Sequence, residues 1–174
     1  MSNKILVAYA TFTGSTAEIA EAIGKILAEG GASVDVRPMK EVTDLTPYRA
    51  VVLGSAIQKS QWLPEAMTFV KTHQKQLSEK PTAIFMVCLA LAMKSKVARE
   101  KSETMVIEWL KPARDLIHPV SEGYFAGILD LSKIPSFWDR FGFRISVWTG
   151  VWCEGDHRDW DAIHAWAREV ATKL

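Results

Sequence analysis

A chain of 174 residues with 48% hydrophobic and 24% charged side chains is long enough to bury a core without staples, and nothing in it is repetitive or of low complexity. Its 21 basic and 20 acidic residues leave a formal charge of +1, which argues against the broad basic surface of a nucleic-acid binder. Cys88 and Cys153 form neither a CxxC pair nor a metal-ligand spacing, so neither a disulfide framework nor a metal site is expected. Met1-Ser2-Asn3-Lys4 leads into Ile5-Leu6-Val7-Ala8, too short for a signal-peptide core. The longest apolar run, Ile84 to Met93, is too short to span a bilayer as a helix. The expectation is a cytoplasmic protein whose only membrane contact would be peripheral, at the inner face of the cell membrane.

In chain order, Ile5 to Tyr9 predicts a first strand. Ile19, Ala20, Ile23, Ile26 and Leu27 recur at helical spacing until Gly30-Gly31 ends the helix. Ser33 to Pro38 predicts the second strand and Ala50 to Gly54 the third, apolar throughout as in a strand covered on both faces. A helix begins near Pro64, with Phe69 and Val70 on its buried side. Thr82 to Leu89 is the fourth strand, with Cys88 read as a small buried hydrophobe. A charged helix follows over about Lys96 to Leu110, then a fifth strand within Ile117 to Ile128 in which Gly123 suggests a bend or bulge, and a last helix from Trp160 to Thr172. Strands alternating with helices predict an α/β fold with a parallel sheet and helices on both faces. No linker divides the chain, so one domain is expected over 1–174, with an aromatic-rich insertion at about 130–156.

Ligands of such sheets bind beyond the carboxyl ends of the strands, where strand order reverses. After the first strand comes Thr11-Phe12-Thr13-Gly14-Ser15-Thr16, then a helix. Exposed N–H groups at a helix start suit an anion, Gly14 allows close backbone approach, and Thr11, Thr13, Ser15 and Thr16 add hydroxyl donors. No lysine or arginine lies in the loop, and neither GxxxxGK[ST] nor GxGxxG is present. Ser15-Thr16-Ala17-Glu18 could also be a capping box, which would account for Ser15 and Glu18 alone.

T-x-T-G-x-T after a first strand resembles the phosphate signature of flavodoxins, and Thr11 to Thr16 matches each fixed position. The resemblance implies a flavodoxin-like three-layer sandwich with a five-stranded sheet of order 2-1-3-4-5. It also implies FMN as cofactor, with further flavin loops at Ser55-Ala56-Ile57-Gln58, near Trp62, and at Leu89-Ala90-Leu91-Ala92. Trp62 could stack on the flavin or pack at the start of the next helix. Electron-carrying flavodoxins surround the ring with aromatic and acidic residues. Here Gly54 to Trp62 and Cys88 to Lys94 hold no acid, and Lys59 and Lys94 add positive charge that should ease full reduction.

The layout of the C-terminal half resembles menaquinone-dependent protoporphyrinogen oxidases and their flavodoxin-domain relatives, on Gly54-Ser55-Ala56-Ile57, on Ser136-Phe137-Trp138-Asp139-Arg140-Phe141 and on the segments around His157-Arg158-Asp159-Trp160 and Trp166. That family implies an FMN enzyme passing electrons from an organic substrate, a porphyrinogen in its named members, to a quinone. Asp130 to Pro135 lacks the arginine- and tyrosine-rich character of enteric members. The alternative is a flavodoxin carrying single electrons between proteins. Within the insertion, Trp138, Phe141, Ile145, Trp148 and Trp152 are spaced three, four, three and four apart, one face of a helix. Three roles are open to residues 136–152: core packing, a lid beside the flavin, or peripheral membrane contact; a homo-oligomer is open too. No histidine belongs to a triad or metal site. His157 is kept as a proton donor, and Arg158-Asp159 is expected to cap and orient the last helix.

Overall fold

The computed structural model describes residues 3–93, 95–134 and 136–174, without the side chains of 96–100 and 103. Lys94 and Pro135 lie outside the described residues.

Strand β1 (Lys4–Ala10) is buried along most of its length because it lies inside the sheet. It pairs in parallel with β2 (Ser33–Pro38) on one side and with β3 (Ala50–Gln58) on the other. The sheet continues through β5 (Thr82–Val87) to β6 (Ser121–Phe125), giving the order β2-β1-β3-β5-β6. This is the expected 2-1-3-4-5 arrangement. A short β4 (Gln61–Trp62) folds back antiparallel on β3, with Ile57 opposite Trp62.

Alternate side chains of a strand point to opposite faces, and the two cores follow that period. Ile5, Val7, Val52, Phe85 and Phe125 face α1 (Ser15–Glu29) and α7 (Trp160–Ala171), where they meet Ile19, Ile23, Leu27, Ile163, Trp166 and Val170. Leu6, Ala8, Val51, Leu53, Ile84 and Met86 face the other layer. That layer comprises α2 (Pro64–Thr72), α3 (Gln74–Ser78), α4 (Lys96–Trp109) and α5 (Lys111–Ile117). Helix α5 was not anticipated. Its signal was Pro112, a residue suited to a first helical turn.

Close packing, rather than a bend, explains Gly123. It holds regular register opposite Phe85 in β6, and a Cβ there would come 2.9 Å from the Trp166 ring. The expected bulge is therefore corrected. Gly54 is tighter still: a Cβ would lie 2.0 Å from Cζ of Phe85, so the ring rests directly on the β3 backbone.

The insertion has its own order. Strand β7 (Ile128–Leu129) pairs antiparallel with β8 (Gly155–Asp156), and between them lies α6 (Phe137–Trp148). Phe143, Val147 and Trp152 pack on a small cluster of Leu129, Leu131 and Ile134. Trp152 Nε1 donates to the Leu89 carbonyl at 3.1 Å, tying the insertion to the loop after β5. Trp138, Phe141, Ile145 and Trp148 do not join any core; they face solvent. The apolar stripe was real, but the inner face of α6 is the one carrying Phe143 and Val147.

Candidate functional site

The chain leaves β1 for α1 but returns through β3 on β1's other side, so the connections after β1 and β3 diverge and open a cleft at the sheet's carboxyl edge. The first wall is the loop before α1. Gly14 takes the left-handed conformation (φ 100°) as N-cap, and its N–H donates to Thr11 Oγ1 at 3.0 Å. The turn is thereby fixed by Thr11. The capping box is not formed: Ser15 is already the first helical residue, and no side chain caps α1.

What this leaves open fits a phosphate. The N–H groups of Thr13, Ser15 and Thr16 donate to no group among the described residues, at the positive end of the helix dipole. Thr16 Oγ1 is fully buried and has no hydrogen-bond partner among the described residues. A buried hydroxyl without a partner carries a desolvation cost of about 1–3 kcal/mol, so it is expected to serve a ligand.

The second wall is the end of β3. Ser55 is buried; its hydroxyl donates to the Ala56 carbonyl and accepts from Leu63 N–H, so it shapes the loop rather than facing the cleft. Lys59 and Ser60 form the two-residue turn into β4, with φ of 51° and 62°. A turn with positive φ at both central residues usually takes Asn or Gly, so side chains here hold strain of about 1–2 kcal/mol per residue. The third wall is the end of β5, with Val87, Cys88 and Leu89. Burial pushes the Cys88 thiol up to about 11, against the opposing pull of N–H groups from Leu91 and Ala90.

Together Phe12, Thr13, Ser15, Ala56, Ile57, Gln58 and Leu89 line one cleft of about 310 Å³. Trp62 does not reach it. Its ring is buried in the α2–α5 core, with Nε1 unpartnered among the described residues, because pairing with Ile57 turns it to the inner face. Ala90, Leu91 and Ala92 form a short 3-10 turn beyond the lining residues, and Ala90 and Leu91 pack on that same core.

The fourth wall was absent from the site residues named from sequence. Gly127, Ile128, Leu129, Asp130 and Ile134, followed by Asp139 and Phe143 of α6, face the same cleft. Gly127 comes so near Ser15 that a Cβ would lie 3.2 Å from Ser15 Oγ. Position alone could have signalled this wall, since it follows the last strand at the ligand edge. The cleft is therefore not free of acids. Asp130 is held below the usual carboxylate range by the Ser132 hydroxyl and N–H, which it accepts. Asp139 accepts no bond to its carboxylate among the described residues.

His157 is engaged elsewhere: its Nε2 lies 2.7 Å from the Cys153 carbonyl, and it does not line the cleft. Asp159 caps α7, accepting from Ala162 N–H at 2.9 Å, as anticipated. Arg158 does not cap α7 but ties its start to α1, donating to Asp156 and to Glu18 on the first turn of α1 while stacked 4.4 Å over Trp160.

A sequence profile of the flavodoxin domain matches residues 6–158, and the chain belongs to that family, with FMN as its cofactor. It is 29% identical over 181 residues to a protoporphyrinogen IX dehydrogenase (quinone) of Leishmania major, across 98% of this chain and 75% of that protein. The two-electron reduced flavodoxin of Megasphaera elsdenii shares the fold with a TM-score of 0.58 at 12% identity, over 97% of this chain and 98% of that one. The rubredoxin:oxygen oxidoreductase of Desulfovibrio gigas matches at a TM-score of 0.52 and 16% identity, covering 99% of this chain and 37% of that much longer one. Fold and family together define a flavin-type redox protein, either an oxidoreductase or an electron carrier.

Proposed function

We propose that this chain is an FMN-dependent oxidoreductase that passes electrons between an organic substrate and a quinone-type acceptor. The observation that carries the reading is the fourth wall: Ile134, Asp139 and Phe143 of the insertion line the same cleft as the phosphate loop. A protein exchanging single electrons through an exposed flavin edge needs no such wall. A flat organic molecule needs an apolar surface to lie on.

FMN, when bound, supplies the redox chemistry, accepting a hydride or an electron with a proton and passing it on. The chain's own residues bind and position. Thr13, Ser15 and Thr16 hold the phosphate with neutral donors. Ala56, Ile57, Gln58 and Leu89 flank the ring system. Lys59, on the cleft rim, favours negative charge there. Asp139 is the cleft carboxylate free to take the proton that an oxidised hydrogen donor gives up. The Leishmania major relative, a protoporphyrinogen IX dehydrogenase, supports a porphyrinogen as one substrate to try.

The test is turnover by the purified, FMN-loaded protein with porphyrinogens as donors and quinones as acceptors. The reading expects saturable quinone reduction, and a loss of about a hundredfold in kcat for Asp139→Asn with FMN content unchanged. Electron exchange with redox proteins alone, and no turnover with any porphyrinogen or quinone, would establish the carrier instead.

A further inference from the structure

Helix α6 is apolar on two opposite sides, and only one of them is used. Phe143 and Val147 pack inward on Leu129, Leu131 and Ile134. At 3.6 residues per turn, Phe137, Trp148, Phe141, Ile145 and Trp138 fall within roughly a 100° arc on the outward side. Their exposures are 69%, 87%, 53%, 45% and 78%. Aromatic side chains bury about 150–250 Å² each, so this face presents on the order of 500 Å², the scale of the largest apolar patch on a typical monomer.

We propose that this face docks on an anionic lipid surface, with α6 lying in the plane of the membrane interface. The helix is about 18 Å long, well short of the roughly 30 Å hydrocarbon core, so it cannot span. No helix among the described residues is long and apolar enough to cross a membrane. Its composition fits the boundary between headgroups and acyl chains: tryptophans near both ends, Phe and Ile between them, and no acid in the arc. The one acid of the helix, Asp139, lies on the cleft side. The exposed charge beside the arc is Arg144; Lys133, half-exposed in the preceding turn, is paired with Asp130 at 3.8 Å. Cations bordering an aromatic face complement anionic headgroups.

A second copy of the chain is a poorer fit. Arg144 sits close to the middle of the helix, so a two-fold pairing of this face would bring it near its own copy. The inward side of the same helix walls the cleft, so lipid docking would set the cleft beside the bilayer, where a lipid-soluble acceptor resides. That consequence rests on the proposed redox reading; the docking itself does not.

The experiment is flotation of the full-length, FMN-loaded protein with phosphatidylcholine vesicles, with and without 30% phosphatidylglycerol, while tryptophan emission is recorded. Wild type should float with the anionic vesicles and shift its emission to the blue. Trp138→Ser with Trp148→Ser should lower partitioning at least tenfold, with melting temperature and FMN content unchanged because these rings touch no core. Arg144→Glu should reduce the preference for anionic vesicles while keeping the fold. The proposal is overturned if wild type does not bind anionic vesicles, or if the double tryptophan variant binds undiminished. It is also overturned if light scattering shows a dimer that the double variant abolishes. Vesicle binding is read without turnover, so a failure with quinones would leave it standing and would count against the redox reading alone.

Discussion

Arg158 Nη1 donates to Glu18 Oε2 at 2.6 Å across 140 positions of sequence, fastening the start of α7 to the first turn of α1. The arginine side chain is only 7% exposed and also holds Asp156 at 2.7 Å. Glu18 is the acid of the turn whose N–H groups face the cleft. Its charge would oppose a phosphate bound one turn away, and Arg158 neutralises it. Arg158→Ala should therefore weaken FMN binding several-fold while riboflavin binding changes little. Glu18→Gln in the same background should restore much of the loss. Isothermal titration with both ligands checks this; equal weakening for FMN and riboflavin would show that Arg158 acts on the fold as a whole.

The Lys59–Ser60 turn stores strain at the cleft. Ser60→Gly should raise stability by about 1 kcal/mol, because glycine adopts positive φ without the penalty a side chain carries. Lys59→Met should lower the two-electron reduction potential of bound FMN, since it removes the cation that favours negative charge on the reduced ring. Differential scanning calorimetry and potentiometric titration read the two effects separately. An unchanged potential in Lys59→Met would remove Lys59 from the electrostatics of the site.

Acid stability should depend on Glu122. Arg114 donates to both of its oxygens, at 2.5 and 2.6 Å, and holds its carboxyl below the usual range, with Tyr124 adding a further bond. A depressed folded pKa contributes stability that is fully present above the unfolded value of about 4.3 and is lost as pH falls through the folded value. Glu122→Gln should thus be less stable than wild type at pH 7, and the gap should close as pH falls below about 4. Urea melts at pH 7, 5 and 3 test this; a gap that stays constant with pH would exclude the linkage.

Much of the architecture could be read from the residues. Hydrophobic runs of strand length placed all five parallel strands, and Thr11 to Thr16 falls where it was expected, at the turn from β1 into α1, because both signals are local. Contacts between distant segments were not legible. Trp62 lies one turn beyond Ser55–Gln58, yet its pairing with Ile57 sends the ring into the core. Gly123 looked like a bend because nothing local announces Trp166 packing above it. Ser15-x-x-Glu18 fits a capping box, but Arg158 takes Glu18 and the helix starts one residue earlier than the box requires, with Gly14 as its N-cap. The stripe on α6 was correctly periodic. Period alone does not say which side of a helix is covered when Phe143 and Val147 offer a second apolar side.

The central claim is that the loop from Thr11 to Thr16 holds the FMN phosphate. Compare the affinities of FMN and riboflavin for wild type and for the double variant Thr13→Val with Thr16→Val. At about 1.5–3 kcal/mol for each hydrogen bond to a charged group, the account predicts that the variant loses at least a hundredfold in FMN affinity. It also predicts that riboflavin, which has no phosphate, binds the two proteins alike. Wild-type affinity for FMN in the double variant would contradict the assignment of the loop.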